Sequence, residues 1–293
     1  MPHILKNKNL EVRIDLPDEN YNFSRFDWTG KIVEVKFKDI LVSSIESKVC
    51  ENENHFGKGF YNEFGIDNAF GFDETEIGDW FHKIGVGLLK KEDDNYLFSK
   101  NYDIKPAKFK ITSDLNSIVM TCTSESVNGY AYILKKEIQL HENDFTIIYN
   151  LLNTGEKDII SSEYVHNFTA INNDLIGCNY VLKFPFELKP ECFNDTVNPE
   201  QKVDIGQRDI TFNGTPNAQF FFSNLAGNNN IHSKWELTNL NNDITISETG
   251  SFKTKKVNLW GWKHVISPEL FFDIFVKPGA STTWSRTYSF NKV

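Results

Sequence analysis

Two short segments carry residues whose types and spacing could do chemistry. One is Ser162-Glu163-Tyr164-Val165-His166-Asn167-Phe168, and the other, a hundred residues on, is Ser267-Pro268-Glu269-Leu270-Phe271-Phe272. Imidazole titrates near neutrality and so serves either as proton donor or as acceptor. A carboxyl flanked by proline and three apolar residues is costly to bury charged, which raises its affinity for a proton. One histidine and one glutamate on strand-like segments are the minimum set for passing two protons to and from one small molecule. Taken singly, a histidine among aromatics is more often a hydrogen-bonded core or rim residue. The inference therefore rests on the two segments meeting in space.

Further polar residues stand in settings that suit a binding surface. Arg25, in Ser24-Arg25-Phe26-Asp27-Trp28, offers a guanidinium fork that could grip two hydroxyls, orient Glu269, or form a salt bridge to Asp27 or another surface carboxylate. The glycine-punctuated acidic stretch containing Glu63 and Asp73 reads as a rim loop or a solvated one. In His82-Lys83-Ile84-Gly85-Val86-Gly87 alternation turns one polar side chain inward, and Lys83 is the better candidate. Trp260 and Trp262 flank Gly261 and could stack on a ring, with Trp262 the favoured one, although core packing is the commoner use of such a pair.

The elements that must position these residues are strands. Alternating or β-branched runs recur at 31–37, 109–112, 117–122, 131–140, 145–151, 219–222, 234–238 and 271–276, separated by turn clusters such as Asn-Gly-Thr-Pro at 213–216. Helical periodicity is nearly absent. With 25 phenylalanines to fill the layer between facing sheets, the expectation is an all-β chain of stacked antiparallel sheets. No linker or composition break divides residues 1–293, which read as one domain.

Composition narrows the function classes. A net charge of −9 and only four arginines (Arg13, Arg25, Arg208, Arg286) argue against nucleic acid and, more mildly, against a polyphosphate ligand. No 18-residue apolar run is present, so no membrane-spanning helix is expected. Cys50, Cys122, Cys178 and Cys192 are scattered without metal or redox spacing, and the N-terminus lacks a secretory pattern, so the chain reads as cytoplasmic. Nucleotide-binding, serine-hydrolase and zinc-protease strings are missing. The oligomeric state, monomer or dimer, is not legible.

The early Ser24-Arg25-Phe26-Asp27-Trp28-Thr29-Gly30-Lys31-Ile32, the middle Glu163-Tyr164-Val165-His166-Asn167-Phe168 and the late Pro268-Glu269 with Val276-Lys277-Pro278-Gly279 occur in one order across nearly the whole chain. In this the sequence resembles the aldose 1-epimerase (galactose mutarotase-like) superfamily, and most closely its poorly characterised microbial members. The resemblance implies a β-supersandwich whose concave face holds a monosaccharide or sugar derivative and interconverts its α and β anomers without any cofactor. It implies Glu269 as base and His166 as acid. The sequence departs from galactose mutarotases in lacking their first-half histidine followed by two glycines, and Lys83 stands nearest that position. A non-catalytic sugar-binding module and a sugar-phosphate epimerase are the other readings; the latter requires Lys83 and Lys263 both to point inward.

Overall fold

The computed structural model describes residues 2–48 and 53–292, and Cys50 lies outside them. Among the described residues the only helical segments are two single 3-10 turns, Glu53–His55 and Pro190–Cys192. Everything else regular is strand, joined into antiparallel sheets as the alternation predicts.

The largest sheet has ten strands. Its centre is Ile231–Asn239, Ile244–Thr254, Ser281–Lys292, Asp144–Asn153 and Tyr132–Leu140, and it ends at Lys108–Ser113. Asp144–Asn153 alternates strictly between half-buried and buried positions, as a strand with one face on a core must. The inward residues Phe145, Ile147, Tyr149 and Leu151 meet Trp284, Tyr288 and Phe290 from the neighbouring strand; Tyr149 and Trp284 lie parallel with centroids 4.8 Å apart. The facing sheet runs His3–Lys6, Leu10–Asp15, Lys31–Phe37, Phe60–Phe64, Ile159–Asn167 and Phe272–Val276.

A smaller sheet completes the positioning frame. It contains Phe220–Phe222, Val257–Trp262 and, at its edge, Val265–Leu270. Several strands break the one-face rule, Phe60–Phe64 among them. Positions 163–167 of Ile159–Asn167 and all of Val265–Leu270 are also buried on both faces. These last two are the strands that carry His166 and Glu269. Their outer faces lie under a second aromatic cluster, with Tyr21, Phe26, Trp28, Tyr61 and Phe168 among its members. Polar side chains here sit between two apolar layers, where an unpaired one would be expensive.

The remaining cysteines are free thiols: Cys122 is buried, Cys178 and Cys192 exposed. Among the described residues no helix is long and apolar enough to cross a membrane, and no group of three or more His, Cys, Asp or Glu side chains could hold a metal ion.

Candidate active site

His166 and Glu269 meet. Imidazole Nδ1 is 3.1 Å from the Glu269 carboxylate Oε1 and 3.2 Å from Ser267 Oγ. Strand geometry delivers both partners. Glu269 and Ser267 are two residues apart, so they share a face of Val265–Leu270, and that face looks towards His166. Across the other strand pair, register sets Tyr164 opposite Glu63 and His166 opposite Tyr61. Glu63, Tyr164, His166 and Glu269 thus form one polar row.

Arg25 closes the row from above. Its Nε donates to Glu63 Oε2 at 3.0 Å, Nη1 to Glu46 Oε1 at 2.8 Å, and Nη2 lies 2.9 Å from His166 Nε2. A guanidinium only donates, so Nε2 must accept and the neutral imidazole carries its proton on Nδ1, aimed at Glu269 and Ser267. The guanidinium also lies against the Phe26 and Phe98 rings, 4.5 and 4.9 Å from their centroids. Phe168 stacks parallel on the imidazole at 4.7 Å, and Trp260 presents itself edge-on at 6.1 Å. The ring's orientation is fixed on every side.

Burial sets the proton affinities. His166 is 6% and Glu269 3% exposed. Burial first, with the Glu63 charge adding, pushes the Glu269 carboxyl up to about 8 against the opposing pull of Arg25. Burial and then the Arg25 charge hold His166 well below its ordinary value. At neutral pH the pair therefore carries one mobile proton, lodged on the carboxyl. Lys83, equally buried, is lowered to about 8 by burial despite Glu63; its Nζ donates to Tyr96 Oη at 2.9 Å and lies 3.9 Å from Glu63 Oε1. Glu63 itself is fully buried and takes the Tyr164 hydroxyl at 2.6 Å, while its Oε1 has no hydrogen-bond partner among the described residues.

A cleft of about 430 Å³ reaches the strand next to Glu269, although neither His166 nor Glu269 lines it. Its wall includes Asn258, the cross-strand mate of Glu269, with Asp67, Ser223, Asn224 and Lys256, and Phe271 as an apolar side.

Several solved structures share this arrangement of sheets. A galactose mutarotase-like protein from Lactobacillus casei ATCC 334 is 11% identical with a TM-score of 0.61, covering 99% of this chain and 100% of that one. A galactose mutarotase related enzyme from Lactobacillus acidophilus is 12% identical with a TM-score of 0.59, covering 99% and 97%. An aldose epimerase homologue from C. elegans is 9% identical with a TM-score of 0.51, covering 100% of both chains. This chain has the galactose mutarotase-like fold. No family model matches its sequence, and neither does any curated protein.

Within the mutarotase-like fold, the structure gathers His166, Glu269, Arg25, Glu63 and Lys83 into one connected cluster. The salt bridge considered between Arg25 and Asp27 is not formed; Asp27 pairs instead with Lys136 at 3.1 Å. Asp73 and Trp262 are not brought to the cluster. Asp73 is exposed, accepts from Asn68 at 3.2 Å and lines a separate cleft with Glu74, Asp158 and Ile160. Trp262 donates to the Asn217 carbonyl and packs on His264. It faces Val265, four residues from Glu269, whereas Trp260 faces Ser267 and reaches the imidazole. Both Trp260 and Trp262 share a face, so only register, set by the hairpin turn at 262–265, decides between them. His82 and Lys83 are both buried, His82 stacking on Phe70 at 5.1 Å.

Sequence reasoning missed Glu46, Tyr164 and Ser267. Ser267 and Tyr164 stand two residues from Glu269 and His166, an i/i+2 signal that was available. Glu46 lies in an irregular segment and gave none.

Proposed function

We propose that the chain is a cofactor-free isomerase interconverting the α and β anomers of an aldose, with His166 and Glu269 exchanging the protons. The observation that carries this is the contact of those two side chains at 3.1 Å, from strands of different sheets, on a fold shared with aldose epimerase homologues.

The chemistry balances on one mobile proton. Opening a pyranose removes the proton of the anomeric hydroxyl and adds one to the ring oxygen; the C1–O5 bond breaks and a C1 carbonyl forms. Rotation about C1–C2 presents the other carbonyl face, and the reverse transfers close the ring. Over the cycle each catalytic group both donates and accepts. A proton on the carboxyl with a neutral imidazole has the same proton count as a carboxylate with an imidazolium. Either supplies one acid and one base. Because Nδ1 already holds its proton, the imidazole acts as base, or takes its second proton, only at Nε2, which Arg25 must release as the sugar enters. Entry of the sugar replaces the direct contact of the pair, placing O1 and O5 between the two groups. Each transfer contributes on the order of 10²–10⁴ in rate.

The substrate reading favours an uncharged sugar. Amides and carboxylates on the cleft wall suit hydroxyls, and Phe271 suits the apolar face of a pyranose. Lys83 and Lys263 are not brought together, and of the two lysines that line the cleft, Lys255 and Lys256, the second is paired with Asp67 at 2.7 Å. Lys83 turns in to Glu63 and Tyr96, but Lys263 is exposed over Trp262. Saturation-transfer NMR across free and phosphorylated aldoses tests the proposal. Enzyme-dependent exchange between anomers of a free aldose is expected. Binding without exchange for every sugar, with the protein folded, would instead make the chain a carbohydrate-binding module.

A further inference from the structure

Val265–Leu270 is laddered on one side only, to Val257–Trp262. The carbonyls of Ile266, Pro268 and Leu270, at alternate positions, leave from the other edge. That edge meets the chain two residues past the His166 strand at the isolated bridge of Thr169 with Ile266, where the Thr169 amide donates to the Ile266 carbonyl at 3.1 Å. A buried carbonyl needs a donor, and these three are served largely by side chains. Thr169 Oγ1 donates to Ile266 O at 2.7 Å, Asn167 Nδ2 to Pro268 O at 2.6 Å, and Arg286 Nη2 to Leu270 O at 2.8 Å.

We propose that Asn167 is a positioning residue that sets the His166–Glu269 separation by tying the residue after His166 to the residue before Glu269. The inference rests on the reading of that pair as the reactive groups. Asn167 points to the opposite face of its strand from His166, into the layer between sheets, and is held there by every polar atom it has. Nδ2 also donates to Glu248 Oε2 at 2.9 Å, and Oδ1 accepts the Tyr288 hydroxyl at 2.9 Å. Glu248 is in turn fixed by Trp235 Nε1 at 2.8 Å and by Arg286, whose guanidinium also grips Glu163 Oε2 at 2.7 Å. The same pattern recurs one strand away, where Asn62 donates to Glu163 from behind Glu63. The site residues Glu63, Tyr164 and His166 thus each have a buried polar neighbour, Asn62, Glu163 and Asn167, fastening the back of the strand.

Buried ionic sets such as Arg286 with Glu163 and Glu248 contribute little net stability compared with an apolar filling of the same volume. Fixed geometry is what this one provides: amide and guanidinium place the free edge of the Glu269 strand where a backbone ladder would otherwise do so. A shift of the order of 1 Å between acid and base costs up to about a hundredfold in rate.

The test compares Asn167→Leu, which keeps volume but loses the donor, with Trp235→Phe, which loosens Glu248 without touching Pro268. Asn167→Ser, too short to reach the Pro268 carbonyl, serves if the leucine variant fails to fold. Each is read by thermal unfolding and by the ring ¹⁵N signals of His166 in the sugar-free protein. The expected result is that the Asn167 variants lose the Nδ1-protonated, carboxyl-coupled ring signature while Trp235→Phe keeps it at a comparable loss of stability. With the reactive sugar, kcat should fall about ten- to a hundredfold in the Asn167 variants at nearly unchanged KM. An unchanged His166 signature in a folded Asn167 variant, or an equal change in Trp235→Phe, overturns the proposal. The ring signature needs no substrate, so this outcome is separate from whether any aldose reacts.

Discussion

Replacing Glu269 by Gln should make the protein more stable than the wild type as the pH rises, because it removes a carboxyl that burial keeps protonated. The folded protein holds this proton up to about 8, whereas an exposed glutamate releases it near its ordinary value of 4.5. Between those values the folded state binds more protons than the unfolded chain, so raising the pH favours unfolding. Each pH unit in that interval is worth about 1.4 kcal/mol. His166, held low by burial and by Arg25, and Lys83, lowered to about 8, are present in both proteins and cancel in the comparison, which leaves the carboxyl as the variable. From pH 6.5 to 8 the wild type should lose about 1.5–2 kcal/mol relative to Glu269→Gln. Urea unfolding of both proteins at several pH values in this range measures it, and any fixed cost of the substitution cancels in the slope. Parallel stability curves would refute the claim that Glu269 is buried and protonated.

The same proton governs activity: kcat/KM should fall as pH rises through about 8, when the sugar-free pair loses the one proton it shares, and a kcat/KM profile flat to pH 9.5 would oppose this. Trp260→Ala should lower kcat/KM on the order of tenfold by freeing the His166 ring, whereas Trp262→Ala, whose indole serves Asn217, should leave it within about twofold; steady-state kinetics on both variants decides the register. Gly57→Ala would set a Cβ 2.2 Å from the Phe168 ring that stacks on His166, so thermal unfolding should show a loss of about 1–3 kcal/mol, and an unchanged melting temperature would mean that ring is free to move.

The fold was legible because one-faced strands write their burial into the sequence. Asp144–Asn153 and Ser117–Thr123 alternate without interruption, and the structure pairs them as antiparallel neighbours of Tyr132–Leu140. The site was legible only in part, for the converse reason. Val265–Leu270 is buried on both faces, so its composition does not say which side chains look towards His166. The pair itself stood out because histidine and glutamate are rare in such surroundings. Arg25 was visible as a residue but not by its partners, since Glu46 and Glu63 approach from irregular chain and from another strand. The choice of Trp262 over Trp260 turned on register, which composition does not encode. The Asn62, Glu163, Asn167 and Arg286 layer was invisible for a different reason. Single buried polar residues scattered over 225 positions become a network only once the sheets are stacked.

Anomer exchange measured by saturation-transfer NMR on the wild type, His166→Asn and Glu269→Gln, with each variant shown to be folded, tests the central claim most directly. The account predicts exchange in the wild type and its loss, by at least about a hundredfold, in each variant. Exchange that survives in both would mean that the protons move through other groups.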